Sequence, residues 1–381
     1  MNFRIPLSAP DITEAEIAAV TAVLRTTQLC LGPEQEGFEQ ELARFHGVGH
    51  AVAVSSGTAA LHLSLLTLEI GEGDEVILPS FAFIAVANVL HHVRAIPVFV
   101  DVDPITLNLS PAEVERAITP RTRAIMAVHT FGVPAPMLQL RDLAKRHGLV
   151  ILEDACEAIG ASHHGQRAGS FGDLAVLGFY PNKQITTAEG GAVLAHREDH
   201  AERIRSLSNQ GRPAPARPSA GASSHPMQQA EVGFNYRISE LACAMGRVQL
   251  SRLDEILMLR QQAAERYHKL LETLPSVERP PLQVADGRIS WFVYVVRLPD
   301  GVHRDAIQTA VAGRGIATAR YFEPIHLQAA WKGRTDAVRF PLPVTESVGH
   351  RVLALPFFNR LSPDQQEEVV TVLSDALHRH A

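Results

Sequence analysis

The sequence predicts an α/β protein: a mostly parallel central sheet with helices on both faces, followed by a smaller C-terminal α+β domain. Three observations carry that expectation. Between about Asp74 and Ala195, short apolar runs alternate with amphipathic helical stretches. The composition changes at residues 209–230, which are rich in Pro, Ala, Ser and Gly. After that stretch the pattern turns strongly helical and then mixes strand and helix. Strands that are apolar along their whole length suit a sheet buried on both faces, and helices between them supply the crossovers that parallel pairing needs.

Taken in order, Ala51–Val54 is an apolar strand running into a small-residue turn. Glu75–Leu78, Ile96–Val102, Ala124–Val128, Val150–Glu153, Leu174–Phe179 and Ala192–Ala195 are the next strand candidates. Ser110 followed by Glu113 has the spacing of a capping box and predicts a helix start there. Met137–His147 places Leu140, Leu143 and Ala144 on one helical face. Residues 209–230 contain Pro213, Pro215, Pro218 and Pro226 and are expected to form a mobile loop. Ile238 to about Leu274 is expected to be one long helix, with Leu241, Met245, Val248, Leu253, Ile256 and Leu257 at helical spacing. A strand at Trp291–Leu298 and helices at His303–Ala312 and Pro363–His378 complete the chain. The expected division is a large domain over 1–250 and a smaller one over 251–381.

Composition narrows the function classes. The chain has 381 residues, of which 46% are apolar and 20% charged, enough for one large core and a second smaller one. Its formal charge of −6 argues against nucleic acid or an anionic membrane as the main partner. Cys30, Cys156 and Cys243 are too few and too far apart for a disulfide framework or a Cys-x-x-Cys metal site. No apolar run is long enough to span a bilayer, and the first residues lack the pattern of a signal peptide, so the cytoplasm is the expected location. Histidine is abundant, but His46/His50, His91/His92 and His163/His164 join no acids or cysteines at ligand spacing, and no metal is expected.

Three segments carry chemistry when read together. Ser56-Gly57-Thr58 stands between a strand and a helix, where free N–H groups and the helix dipole favour an anion; a capped helix without ligand is the plainer alternative. Asp154 ends an apolar strand, where it could cap a helix, bind a metal or face a cofactor. Lys183 follows the strand Leu174–Phe179 and precedes Glu189-Gly190-Gly191; most lysines are solvated, but one among apolar neighbours can form a Schiff base. Anion cradle, carboxylate and amine, in that order, are what pyridoxal 5'-phosphate requires. The interval from Asp154 to Lys183, 183 − 154 = 29 residues, allows an excursion that returns to the same end of the sheet.

Further motifs extend this set. They are Gly32-Pro33, Phe38-Glu39, Ser56-Gly57-Thr58-Ala59-Ala60-Leu61, Pro79-Ser80-Phe81-Ala82-Phe83, Asp101-Val102-Asp103, His129, Glu153-Asp154-Ala155, Gly172-Asp173, Gly233-Phe234-Asn235-Tyr236-Arg237, Pro324-Ile325-His326 and Leu355-Pro356. In this order, from about Ile5 to Leu377, the chain resembles the DegT/DnrJ/StrS family of aminotransferases, which act on nucleotide-linked keto sugars and aminocyclitols. The resemblance implies fold type I of the pyridoxal-phosphate-dependent transferases and a homodimer with shared active sites. It also implies amino transfer from a donor, glutamate by analogy, to a keto sugar in amino-sugar, polysaccharide or antibiotic biosynthesis.

By position the resemblance implies that Ser56, Gly57 and Thr58 cradle the phosphate, Phe83 stacks on the pyridine ring, and Asp154 pairs with the ring nitrogen. Glu157 would sit near the ring hydroxyl, and Lys183 would form the Schiff base and then move protons. Asn235 would reach the phosphate of a neighbouring subunit. His129, Tyr321 and His326 are candidates for the substrate side, with a satisfied core histidine as the rival reading of His129. Three positions depart from the family pattern: Gly178 where many relatives have serine, Glu157 where glutamine is frequent, and Ala188 where glycine is frequent. A sugar-dehydratase branch carries histidine in place of the lysine, and Lys183 argues against it. A non-catalytic regulatory relative would be expected to lose Lys183 or Asp154, and both are present. No Gly-x-Gly-x-x-Gly follows a first strand, which argues against a nucleotide-binding dehydrogenase. Sugar, carbon position and nucleotide are not legible in the sequence.

Overall fold

The computed structural model describes residues 3–213, 228–334 and 336–380. The N-terminal helices α1 (Glu14–Leu24) and α2 (Pro33–His46) lead into β1 (His50–Val54) and α3 (Gly57–Thr67). Then come β2 (Glu75–Pro79), α4 (Ala85–His92), β3 (Ile96–Val100), α5 (Pro111–Ala117), β4 (Thr122–Val128), α6 (Met137–His147) and β5 (Val150–Asp154). Two short strands, β6 (Ser162–His163) and β7 (Gln166–Arg167), precede β8 (Leu174–Gly178), β9 (Gly191–Ala195) and α7 (Glu198–Ser208). The C-terminal part holds α8 (Glu240–Ser251), α9 (Leu253–Leu270), β10 (Gly287–Arg288), β11 (Tyr294–Arg297), α10 (Arg304–Ala312), α11 (Pro343–Arg351), β12 (Val352–Leu355) and α12 (Pro363–His380).

The main sheet has the order β1-β9-β8-β5-β4-β2-β3. Its neighbours from β8 to β3 pair in parallel, whereas β9 is antiparallel to both β1 and β8. Six strands therefore point one way, and their carboxyl ends open on the same side. Alternation along each strand feeds two cores. Val52 and Val54 of β1 join α3 and α7, while Ala51 and Ala53 join α2 on the other face. Likewise Val76 and Leu78 face α3 and α4, and Ile77 faces α5 and α6. A separate core is built around Tyr267, Trp291, Tyr294 and Phe357 from α9, β11 and the segment after β12, with Ile5 inserted from the N-terminal segment. We propose the domain division at residues 250 and 251; it falls in the last turn of α8.

Two sequence expectations are corrected here. The helix over Ile238–Leu274 is broken into α8 and α9 at Arg252, whose side chain is drawn to Glu16 Oε1 (2.8 Å) and Asp11 Oδ2 (3.2 Å) of the N-terminal segment. Ser110 does precede α5, but its hydroxyl makes no cap, and the Glu113 carboxylate pairs with Arg116 rather than reaching back to the Ser110 amide. Capping boxes are formed instead at Thr13 and Glu16, at the start of α1, and at Ser362 and Gln365, at the start of α12. Of the proline-rich stretch 209–230, residues 214–227, including Pro215, Pro218 and Pro226, lie outside the described residues. Its two ends meet, with the Ala230 N–H donating to the Gly211 carbonyl at 2.9 Å.

Candidate active site

Three strand ends converge on one cavity of about 430 Å³. From β1 the chain turns through Ser55 and Ser56 into α3. Ser56 Oγ accepts the Ala59 N–H (3.0 Å), and the Ser56 carbonyl accepts that of Ala60. No partner among the described residues takes the N–H groups of Gly57 and Thr58, which stand at the positive end of an eleven-residue helix. The turn is tight because Gly191 of β9 lies against it: a Cβ there would stand 2.5 Å from the Ser56 carbonyl carbon. A Cβ on Gly57 would stand 2.9 Å from Cys156 Sγ. Small residues thus bring bare backbone amides up to the cavity.

Asp154 is the last residue of β5, almost fully buried, and its Oδ1 accepts the Cys156 N–H at 3.1 Å. Lys183 lies in the loop between β8 and β9, which is closed at its base by Phe179 N–H to the Gly190 carbonyl (2.9 Å). Its Nζ sits 4.0 Å from the centre of the Phe292 ring and 3.4 Å from Glu157 Oε1. Glu157 Oε2 accepts the Phe131 N–H at 3.0 Å. Phe131 presents that amide from a left-handed conformation (φ 56°), costly for a residue with a side chain and so held by its surroundings. Burial pushes the Glu157 carboxyl above its ordinary range, with Asp154 adding to the shift and Lys183 opposing it.

The loop is fastened from behind. Gln184 Nε2 donates to the Glu157 carbonyl (2.6 Å) and to the Ser290 carbonyl and hydroxyl (2.9 Å each). Buried Arg260 of α9 donates to the carbonyls of Phe292 (3.0 Å), Trp291 and Lys183 (3.3 Å each). On the open side, Phe83 presents a half-exposed ring to the cavity, with Tyr321 and Phe322 across from it. Burial raises the Tyr321 hydroxyl above its ordinary pKa, with Asn182 opposing the shift.

Of the residues singled out in the sequence, Ser56, Gly57, Thr58, Phe83, Asp154, Glu157, Lys183 and Tyr321 line this one cavity. Three do not. His129 is corrected from a substrate candidate to a core residue. It is fully buried, its Nε2 pairs with Glu153 Oε2 at 2.9 Å, and its Nδ1 accepts the Ala135 N–H at 3.0 Å, so no ring nitrogen is left for a ligand. His326 is likewise turned inward, with Nδ1 2.7 Å from Ser80 Oγ and Nε2 3.3 Å from Glu346. Asn235 is exposed beside the cradle strand, in a bridge with Asn209, and stays outside this chain's cavity. The sequence reading missed Cys156, Tyr180, Asn182, Glu189, Phe292 and Phe322. Cys156 follows Asp154 by two positions, and Tyr180, Asn182 and Glu189 flank Lys183, so their closeness in sequence was a usable signal. Phe292 and Phe322 arrive from the C-terminal part and have none.

The family departures acquire physical reasons. A Cβ at Gly178 would lie 3.1 Å from Cys156 Sγ and 3.2 Å from its Cβ, so the thiol already fills the space a serine would need. Ala188 adopts φ 67°, a conformation glycine takes without strain.

The residues present fit pyridoxal phosphate on this structure's own terms. Two helix amides without a partner among the described residues can take a phosphate, an almost buried carboxylate can take a ring N–H, and a largely buried amine has its nearest carboxylate oxygen no closer than 3.4 Å. Asn182 Oδ1 is also buried at the cavity wall with no hydrogen-bond partner.

Comparison with known proteins gives the same reading. The model of the DegT/DnrJ/EryC1/StrS aminotransferase family matches residues 10–374. Among solved structures, the aminotransferase TlmJ from Streptoalloteichus hindustanus is 33% identical, with a TM-score of 0.91 over 98% of this chain and 99% of its own. Spr1654 from Streptococcus pneumoniae, in its PLP form, is 26% identical with a TM-score of 0.91 over 99% of each chain. Helicobacter pylori PseC, an aminotransferase involved in the biosynthesis of pseudoaminic acid, is 25% identical with a TM-score of 0.91 over 100% of each chain.

Proposed function

The chain belongs to the DegT/DnrJ/EryC1/StrS aminotransferase family and is a pyridoxal-phosphate-dependent enzyme, and from that premise we propose that it transfers an amino group from glutamate to the keto group of a nucleotide-linked sugar. The observation that carries the site reading is the meeting of the α3 amides, Asp154 and Lys183 in one cavity at the carboxyl ends of parallel strands. The sugar reading is supported by the family resemblance and by PseC's part in making pseudoaminic acid.

When bound, pyridoxal phosphate supplies an electron sink conjugated to the carbon that gains or loses the amino group. The protein's own groups do the rest. Gly57 and Thr58 N–H groups, with the Ser56 and Thr58 hydroxyls, would bind the phosphate. Asp154, its carboxylate fixed by the Cys156 amide, would hold a proton on the ring nitrogen. Phe83 would cover one ring face. Lys183 Nζ would take a proton from the substrate carbon and return it at the neighbouring atom, as general base and then acid. Tyr321 would line the substrate side. The two half-reactions would follow each other in ping-pong order.

A homodimer suits features left open in one chain. Asn235 is exposed beside the cradle without entering it, and the apolar Leu29, Leu31, Tyr180 and Val232 are exposed. A partner's Asn235 would complete the phosphate site. Among the described residues, no helix is long and apolar enough to cross a membrane, and all three cysteines are free, which fits a reducing cytoplasm. The decisive experiment is a screen of keto-sugar nucleotides against enzyme preloaded with amino donor, following cofactor absorbance through the second half-reaction. An absorbance change with one keto-sugar nucleotide identifies the acceptor; none with any of them, while simple keto acids react, would remove the sugar assignment.

A further inference from the structure

We propose that Glu157 acts as a neutral carboxylic acid, donating a hydrogen bond from Oε1 to the ring hydroxyl oxygen of the bound cofactor. The proposal rests on the cavity being the cofactor site and concerns a position where the family pattern usually supplies an amide.

The geometry selects the atom. Glu157 Oε2 is occupied as acceptor of the Phe131 N–H at 3.0 Å, while Oε1 faces Lys183 Nζ at 3.4 Å. The cofactor's aldehyde carbon must come to that Nζ. Of the two ring substituents flanking the aldehyde, one carries the phosphate and the other is the hydroxyl. The phosphate side belongs to the N-terminus of α3, whose close neighbours are Cys156 Sγ, Gly178 and Gly191. Glu157 is held by a different set, Phe131, Gln184 and Lys183, and so falls to the hydroxyl side.

Charge selects the protonation state. The cavity wall carries three acids, Asp154, Glu157 and Glu189, and one amine, Lys183. A phosphate adds further negative charge. Asp154 must stay ionised to hold the ring nitrogen's proton. An ionised Glu157 beside an oxygen that is itself acidic would then have only Lys183 to offset it, and that nitrogen is bonded to the cofactor when the site is loaded. The other titratable groups around Glu157 offer no relief. The Cys156 thiol and the Tyr321 phenol, both half-buried, are pushed away from ionisation by desolvation, and Arg260 spends its donors on the carbonyls of Lys183, Trp291 and Phe292. A proton on Oε1 removes the repulsion and supplies the donor that glutamine's amide would. Two carboxyls in one site then hold different protonation states, Asp154 ionised and Glu157 neutral, as two catalytic acids often do.

The consequence is a pH-dependent grip on the cofactor. If binding keeps the proton on Glu157, affinity falls as pH rises from the carboxyl's pKa in the free protein toward its higher value in the loaded protein. The test measures the Kd of pyridoxal phosphate by equilibrium dialysis for wild type and Glu157→Gln between about pH 6 and pH 9. Lys183 and the rest of the cavity are retained in the variant, so the difference between the two proteins reports the carboxyl at position 157 together with its coupling to the lysine 3.4 Å away. The expected result is that the wild-type Kd weakens at least about tenfold more than the variant's over that range. Parallel curves would overturn the proposal. A second measurement needs no variant: the infrared difference spectrum of loaded minus cofactor-free wild type, with isotope-labelled glutamate. A protonated-carboxyl band that moves with the label is expected, and its absence would overturn the proposal. Wild type that binds no pyridoxal phosphate at any pH would instead sink the cofactor-site reading and this proposal with it.

Discussion

Two buried acid–base pairs, separated by a few residues of sequence on the acid side, are treated in opposite ways by this fold. In the core, Glu153 accepts from His129 Nε2 (2.9 Å) and from the N–H groups of Gly169, Phe171 and Gly172 (2.7–2.8 Å), while His129 Nδ1 takes an amide of its own. In the cavity, Glu157 has one amide, and Lys183 has that carboxyl at 3.4 Å and an aromatic face. Burial alone does not separate a structural pair from a working one. What separates them is whether every lone pair and proton is already spoken for: a saturated pair locks geometry, and an unsaturated one leaves capacity for a ligand.

That contrast can be broken most sharply at Lys183. Lys183→Ala is expected to lower kcat by about 10³-fold or more, and borohydride reduction of the loaded wild type should leave a pyridoxyl group on the peptide carrying Lys183 that the variant lacks. Transamination at the wild-type rate in the variant would take the lysine out of the mechanism. Asp154→Ala should weaken cofactor binding by about 10- to 100-fold, the worth of a hydrogen bond to a charged partner, with slower proton removal in the bound state. Unchanged affinity and rate would remove Asp154 from the ring nitrogen.

The saturated pair should respond in stability rather than in catalysis. His129→Ala leaves a buried carboxylate short of a partner and is expected to cost about 3 kcal/mol in denaturant unfolding, with KM of the folded enzyme little changed. A large KM effect with intact stability would return His129 to the substrate site. The pairs also differ in pH sign. Burial works against the Glu153 charge, yet bonds from His129, Gly172 and Gly169 hold its carboxyl below the ordinary range. Its contribution is therefore present above the ordinary glutamate pKa and lost as pH falls below it. Glu157, raised by burial, runs the other way: its contribution is full below the ordinary value and declines as pH rises through the raised one. Glu153→Gln should accordingly flatten the acid limb of the stability profile, and an unaltered limb would show that the pair does not set it. The smallest effect is expected at Ala188, at φ 67° within the lysine loop. Ala188→Gly should stabilise by about 0.5–1 kcal/mol, strain relief partly offset by unfolded-state entropy, read as a small rise in Tm. A fall in Tm would mean that the Ala188 methyl makes packing contacts worth more than the strain.

Much of this was legible in the sequence, for identifiable reasons. Each of the apolar runs in the first half is a strand of the main sheet, because buried parallel strands write their burial directly as continuous Val, Ile, Leu and Ala. Met137–His147 forms the helix α6, with Leu140, Leu143 and Ala144 buried. Gly57, Asp154 and Lys183 could be found because each stands at a strand end, a place marked in the chain. What resisted was tertiary. The break at Arg252 depends on acids at positions 11 and 16, and the inward turn of His129 depends on Glu153 and the amide of Ala135. The ring beneath the lysine comes from Phe292, in another core. No local pattern announces partners so far along the chain.

The fastening of the lysine loop has a mechanical consequence. Gln184 and Arg260 tie the residues around position 183 to Ser290, Trp291 and Phe292 through backbone carbonyls, acceptors that persist whatever side chain is substituted there. The two lobes therefore cannot part like jaws along that seam without tearing these bonds from the reactive amine's own backbone. The half-exposed Phe83 stands on the cavity's open side, so the wall that carries the reactive amine is the fastened one and the rim at Phe83 is the wall left open to solvent.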